Sequence, residues 1–170
     1  MPDELAAGPL VLRRWRIEML DELMEAIEES WDALAPWMPW AVTLPTVEDE
    51  REFLAAAPER FAAGIEFGYG MRHGDTARFL GGCGLHAHRH PELEIGYWVR
   101  ASETGQGYAT AAAQALTDAG FEHVTGVERI QIRCGEGNGA SAAIPPKLGY
   151  SLDRVEGGLM FWNKNRSPLV

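Results

Sequence analysis

Hydrophobic residues fall along this chain in two periods, and the changes from one to the other divide it into elements. Leu20, Leu23, Met24 and Ile27 recur at helical spacing with acidic residues between them, which predicts an amphipathic helix with an acidic outer face. Thr46-Val-Glu-Asp49 has a form close to a capping box and predicts a second helix running to about Ala63. An alanine-rich third helix is predicted over about 110–123. Strand-like runs occupy 10–14, 67–72, 78–86, 92–99 and 129–134, and the segment containing His73-Gly-Asp75 reads as a hairpin between the second and third. Residues 141–147 read as a short helix interrupted by proline. A final strand pair, 150–155 and 159–163, turns around Gly157-Gly158. No repeat, low-complexity tract or linker interrupts the series, so residues 1–170 read as a single α+β domain.

Composition narrows the functional classes. The length can bury a real core, and 46% hydrophobic against 24% charged residues describes an ordinary globular protein rather than a disordered one. The net charge of −10, from 15 basic and 25 acidic residues, argues against general nucleic-acid binding. It suits a cationic amine substrate, although solubility explains an acidic surface equally well. The N-terminal segment has no basic region leading into an apolar core, and no apolar run reaches the roughly 18–20 residues of a membrane span. The expectation is therefore a cytoplasmic chain without a membrane partner. Cys83 and Cys134, both in apolar strand-like segments, read as buried reduced thiols.

The chemistry centres on Glu94-Ile-Gly-Tyr-Trp-Val-Arg-Ala-Ser-Glu-Thr-Gly-Gln-Gly-Tyr-Ala-Thr110, which reads as strand, glycine-containing loop and helix start. Gly105 and Gly107 allow backbone conformations that other residues resist. The helix start beyond them presents unpaired N–H groups and the positive end of the helix dipole, a seat for phosphate or pyrophosphate. It is not a P-loop, because the chain contains no Gly-Lys pair. Nor is it a dinucleotide fingerprint, because Thr110 stands where the third glycine would be.

Gly105-Gln106-Gly107-Tyr108-Ala109-Thr110 resembles the pyrophosphate loop of the GNAT superfamily of N-acetyltransferases, Arg/Gln-x-x-Gly-x-Gly/Ala. Gly107 and Ala109 match its fourth and sixth positions, and Thr104 stands where Arg or Gln is usual. Downstream, Asn138-Gly-Ala-Ser141 and Lys147-Leu-Gly-Tyr150 resemble signatures of the branch that acetylates ribosomal-protein N-termini, at alanine or serine. The likeness runs from about Leu80 to Tyr150. It implies one GNAT-like domain: a mixed, mostly antiparallel twisted sheet with flanking helices and a splayed strand pair. Acetyl-CoA would be the cosubstrate, with its pantetheine arm between Tyr97-Trp98-Val99 and residues 131–134, and no metal.

Acetyl transfer to an amine needs a neutral amine, a polarised thioester carbonyl and a protonated leaving thiolate. Glu94 is the leading base, since strand alternation sends its side chain to the face opposite Ile95 and Tyr97; the alternative is a solvated or salt-bridged strand glutamate. Glu92 shares that face farther from the loop, and His86 or His88 is the reserve. The superfamily often uses as acid a Tyr seven residues after the Asn, and that position here is Pro145. Ser141 is the nearest replacement, as proton relay or hydrogen-bond donor to the CoA sulfur; the alternative is a helix N-cap. Asn138 bonds pantetheine, holds the turn, or does both. His86-Ala-His88-Arg-His90 alternates three imidazoles, which read as strand-end or substrate-facing groups rather than a zinc site. Trp31, Trp37 and Trp40, in a connection rich in aromatic residues and proline, either line the acceptor pocket with His86 or pack a loop onto the core. The implied reaction is direct transfer in a ternary complex to a primary amine, foremost a protein N-terminus. The rivals are a small-molecule amine such as an amino acid, polyamine or antibiotic, or a CoA-binding module without catalysis. Whether the chain pairs as a homodimer is left open.

Overall fold

A computed structural model describes residues 1–89 and 91–167, with only the backbone described at His88 and Arg89. The strands are β1 (Glu4–Ala7), β2 (Leu10–Arg14), β3 (Glu66–His73), β4 (Phe79–Arg89), β5 (Glu92–Val99), β6 (Arg129–Gly135), β7 (Ser151–Glu156) and β8 (Leu159–Asn165). The helices are α1 (Leu20–Leu34), α2 (Val47–Ala62), α3 (Tyr108–His123), α4 (Gly139–Ala142) and α5 (Ile144–Lys147). All eight strands join one sheet in the order β1-β2-β3-β4-β5-β6-β8-β7. Every neighbouring pair is antiparallel except β5 and β6, which α3 connects as a crossover.

Strand alternation sorts the core into two layers. Phe67, Tyr69 and Met71 of β3 join Leu93 and Ile95 of β5, and Ile130 and Ile132 of β6, beneath Ala112, Ala113 and Leu116 of α3. The small residues of α3 bring it close to the sheet: a Cβ at Gly120 would lie 2.9 Å from Ile130. On the opposite face Trp15 and Phe79 pack with Leu23 and Ile27 of α1 and Leu54 of α2. The capping box read at Thr46 forms: Thr46 Oγ1 accepts from the Asp49 N–H at 3.2 Å, and Asp49 Oδ2 accepts from the Thr46 N–H at 2.8 Å.

Three boundaries differ from the sequence reading. β1 is an added edge strand, which the short N-terminal segment, with no alternation of apolar and polar residues, does not signal. α3 begins two residues early because Gly107, at φ 82°, closes the loop and lets Tyr108 start the helix. The single helix expected over 141–147 is two short ones. Asn138 caps the first, while Pro145 and Pro146 stand in the first turn of the second, where a missing N–H costs nothing. Among the described residues no helix is long and apolar enough to cross a membrane.

Candidate active site

The parallel pairing of β5 with β6 runs from Glu92 opposite Arg129 to Ile95 opposite Ile132, and there it stops. Beyond that point β5 remains paired with β4 out to Val99, and β6 with β8 out to Gly135. The two strands therefore separate along 96–99 and 133–135, leaving backbone N–H and C=O groups without a strand partner on the sides that face the gap. Such groups seek hydrogen bonds, and an extended amide-bearing arm can supply them as an added strand would.

The glycine loop lies between the open end of β5 and α3. Gly105 (φ 78°) and Gly107 (φ 82°) are both left-handed, and a Cβ at either would meet nothing within 4 Å. Backbone conformation, not crowding, is what requires glycine here, and the loop surface stays open to a ligand. α3 has no side-chain cap and no acidic residue in its first turn, so its N-terminal N–H groups and dipole are available to an anion. These features fit the pyrophosphate of acetyl-CoA. The root of the loop is pinned by contacts that the sequence reading did not find. Arg100, 7% exposed, is ion-paired with Glu25 and Glu29 of α1. Glu29 Oε1 accepts from the Ser102 N–H at 3.0 Å, and Ser30 Oγ accepts from the Ala101 N–H at 2.9 Å. The bonds from Ser102, then Arg100, hold the Glu29 carboxyl down at about 2 despite some opposing desolvation. An acidic helix face looks like a solvated surface in sequence; pairing with a loop some 70 residues away becomes visible only in the fold.

On the α3 side of the gap stand neutral donors. The Tyr97 hydroxyl lies 3.1 Å from Ser141 Oγ and donates to the Ser141 carbonyl at 3.4 Å. Burial pushes the Tyr97 phenol up to about 12, against the opposing effect of its bond to Ser141, so it stays protonated at neutral pH. The Cys134 thiol, buried close by, is also raised, chiefly by desolvation. The N-cap alternative for Ser141 is overturned: Asn138 Oδ1 accepts the Ser141 N–H at 3.1 Å and is itself the cap of α4. Asn138 thus holds the turn, and the Ser141 hydroxyl is released toward Tyr97. Tyr97 as a donor was missed because the sequence pattern places the expected tyrosine at 145, whereas here a phenol arrives from the neighbouring strand. Strand parity, which puts Tyr97 on the same face as Ile95, was the available signal. The Tyr150 hydroxyl lies 2.7 Å from Thr117 Oγ1.

The opposite side of the same strands is charged and aromatic. Glu94 lies one residue before the pairing ends, with its side chain 17% exposed and Arg133 Nη2 at 3.1 Å from Oε1. His86 stands across from Glu94 on β4. Its Nδ1 is 3.8 Å from Glu66 Oε1, and Arg60 binds the other oxygen of Glu66 at 3.0 Å. Glu92 is held by Arg129 farther from the gap. Trp40 meets Trp98 edge-on at 6.2 Å between ring centroids, and Trp37 covers Gly135, where a Cβ would come within 2.9 Å of its ring. Trp37 and Trp40 remain 42% and 43% exposed, whereas Trp31 packs partly buried against the core cluster of α1 and α2. Trp98 therefore offers the gap only its backbone, since its side chain belongs to the aromatic face. Among the described residues no group of His, Cys, Asp and Glu could hold a metal ion. The His88 side chain and His90 lie outside what is described.

No curated protein sequence matches. The fold matches the microcin C7 self-immunity acetyltransferase MccE, solved with acetyl-CoA and AMP, at a TM-score of 0.84 and 17% identity, covering 98% of each chain. It also matches a ribosomal L7/L12 alpha-N-protein acetyltransferase in complex with coenzyme A, at 0.84 and 18%, over 95% of this chain and 97% of that one. Mycobacterium smegmatis RimJ, solved with a CoA disulfide, matches at 0.83 and 22%, over 96% of this chain and 88% of that one. A model of the acetyltransferase (GNAT) domain matches residues 9–151, most of the chain. The protein belongs to the GNAT acetyltransferase family: it is an N-acetyltransferase that uses acetyl-CoA.

Proposed function

We propose that the acceptor is a protein N-terminal amine and that the acetyl group passes to it directly in a ternary complex. The observation that carries the reading is the gap between β5 and β6, which has a carboxylate on one side and paired hydroxyl donors on the other. The pyrophosphate of acetyl-CoA lies on the backbone of Gly105–Thr110, with Gln106, Tyr108 and Ala109 in the loop and helix start. Its arm runs along the open edges of Tyr97, Trp98 and Val99. Trp37 and Trp40 border the acceptor, with His86 deeper on the same face.

Glu94, directly or through water, takes the proton that an ammonium must lose before its nitrogen can attack the acetyl carbonyl carbon. As the C–N bond forms and the C–S bond breaks, Ser141 and Tyr97 donate to the departing sulfur. A hydroxyl is a poor acid, so these two stabilise and relay rather than surrender a proton outright. The Asn138-x-x-Ser141 turn, with its serine hydroxyl turned toward the gap, supports an acceptor like that of the ribosomal-protein branch, and a cytoplasmic location goes with it. The likeness to MccE supports the second reading, a small-molecule amine.

Turnover of acetyl-CoA across a panel of amines decides. The panel holds alanine- and serine-initiated peptides, free amino acids, a polyamine and an amine-bearing antibiotic. Peptides should be acetylated at the α-amine with the highest kcat/KM. Preference for a small amine would replace the acceptor, and CoA binding with no turnover on any amine would leave only a binding module.

A further inference from the structure

We propose that His86, held by Glu66, carries the proton from Glu94 out to solvent. This rests on the reading of Glu94 as the group that deprotonates the amine. Glu94 is poorly placed to release a proton by itself. Its side chain is 17% exposed, an acceptor above it would cover it further, and a proton resting on it would leave Arg133 without its counter-charge. A next carrier is needed, and His86 stands directly across the ladder with its side chain 37% exposed. Residues opposite one another in an antiparallel pair have Cβ atoms about 4.5–5.5 Å apart, within reach of direct or one-water transfer.

The orientation of the imidazole fits the task. A Cβ at Gly96 would lie 3.4 Å from His86 Nε2, so the ring leans over the bare backbone of β5, next to Glu94 on that face. Nδ1 points the other way, to Glu66 Oε1 at 3.8 Å, an electrostatic contact just beyond hydrogen-bond length. Glu66 is fixed in turn by Arg60 of α2 at 3.0 Å. Among the described side chains, the charged groups that face His86 are thus Glu66 with Arg60 behind it, and Glu94 with Arg133 behind it. Two carboxylates flanking one imidazole stabilise the transient imidazolium. In each cycle the ammonium proton passes to Glu94 and then to Nε2 of His86, and the imidazolium gives that proton from Nε2 to water, while Nδ1–H stays turned toward Glu66 and the starting tautomer is restored. Glu66 acts as a positioning residue through His86.

The test is steady-state kinetics with acetyl-CoA and the fastest acceptor of the amine panel, in weak and then in concentrated imidazole buffer. His86→Ala should lose about tenfold in kcat in weak buffer, keep the KM for acetyl-CoA and regain turnover as imidazole rises. Glu66→Gln should show a smaller loss of the same kind, with part of the rate returned in Glu66→Asp. A structural role would not respond to imidazole. Wild-type turnover of His86→Ala in weak buffer, or a loss that imidazole leaves untouched, overturns the relay. His86→Gln, of similar size, stands in if the alanine variant does not fold. The two readings fail separately. If Glu94→Gln slows turnover and His86→Ala does not, the relay alone is lost; if Glu94→Gln is silent, the base reading falls.

Discussion

The two sides of the β5–β6 gap differ in kind. Toward α3 the gap is lined by neutral donors, Tyr97 and Ser141, whose pairing is set within an apolar core. Toward α1 and α2 it is lined by ionised groups, Glu94 with Arg133 and Glu66 with Arg60, beside exposed tryptophans. The reaction proposed above asks for this division. A leaving thiolate is helped by donors that remain protonated at neutral pH, as a phenol does, and burial raises the Tyr97 phenol further. An arriving ammonium is met by carboxylates, and a carboxylate in the apolar layer would cost several kcal/mol of desolvation. Strand alternation supplies both environments at once, since residues 94 and 97 of one strand point to opposite faces.

Glu94→Gln should break the charged side. Turnover is expected to fall about 100-fold or more, with acetyl-CoA affinity nearly intact and the acidic limb of the pH–rate profile flattened, as initial rates across pH will show. An unchanged profile at full activity would move the base elsewhere on that face.

The neutral side should respond differently. Ser141→Ala and Tyr97→Phe should each slow turnover about tenfold, a smaller loss than at Glu94, while leaving the acidic limb in place. Because Asn138 and not Ser141 caps α4, thermal unfolding of Ser141→Ala should be close to wild type. A melt lowered by about 1 kcal/mol with turnover preserved would make the Ser141–Tyr97 bond a structural contact alone.

Gly107→Val lies outside both faces and should sharpen the contrast by touching binding alone. CoA affinity should weaken about tenfold, or 1.4 kcal/mol, with kcat at saturating acetyl-CoA little changed. The left-handed backbone at φ 82° resists a β-branched residue, and the loop surface that would approach the pyrophosphate acquires a side chain. Calorimetric titration with CoA reads the effect, and unchanged affinity in the folded variant would remove the loop from the cofactor site.

Sequence went furthest where the signal is local. The amphipathic spacing of Leu20 to Ile27, the capping box at Thr46 and the glycines at 105 and 107 each depend on residues within a few positions, and each forms as read. The family motifs brought the splayed strands and the position of Glu94 into view before any fold was seen. What sequence could not supply were partners brought together by the sheet. Glu94 meets Arg133, His86 meets Glu66, and Tyr97 meets Ser141 across separations of 20 to 44 residues. Local pattern fixes which face a side chain takes; register decides what it faces there. Hence the capping alternative for Ser141 fell only when Asn138 occupied the cap and Tyr97 met the serine hydroxyl from β5. The sequence by itself determined the elements, the loop conformation and the chemistry of the residue types, because dihedral preference and periodicity are short-range. Only the tertiary structure divided those residues between a neutral and a charged side, because that division depends on strand pairing over long chain separations.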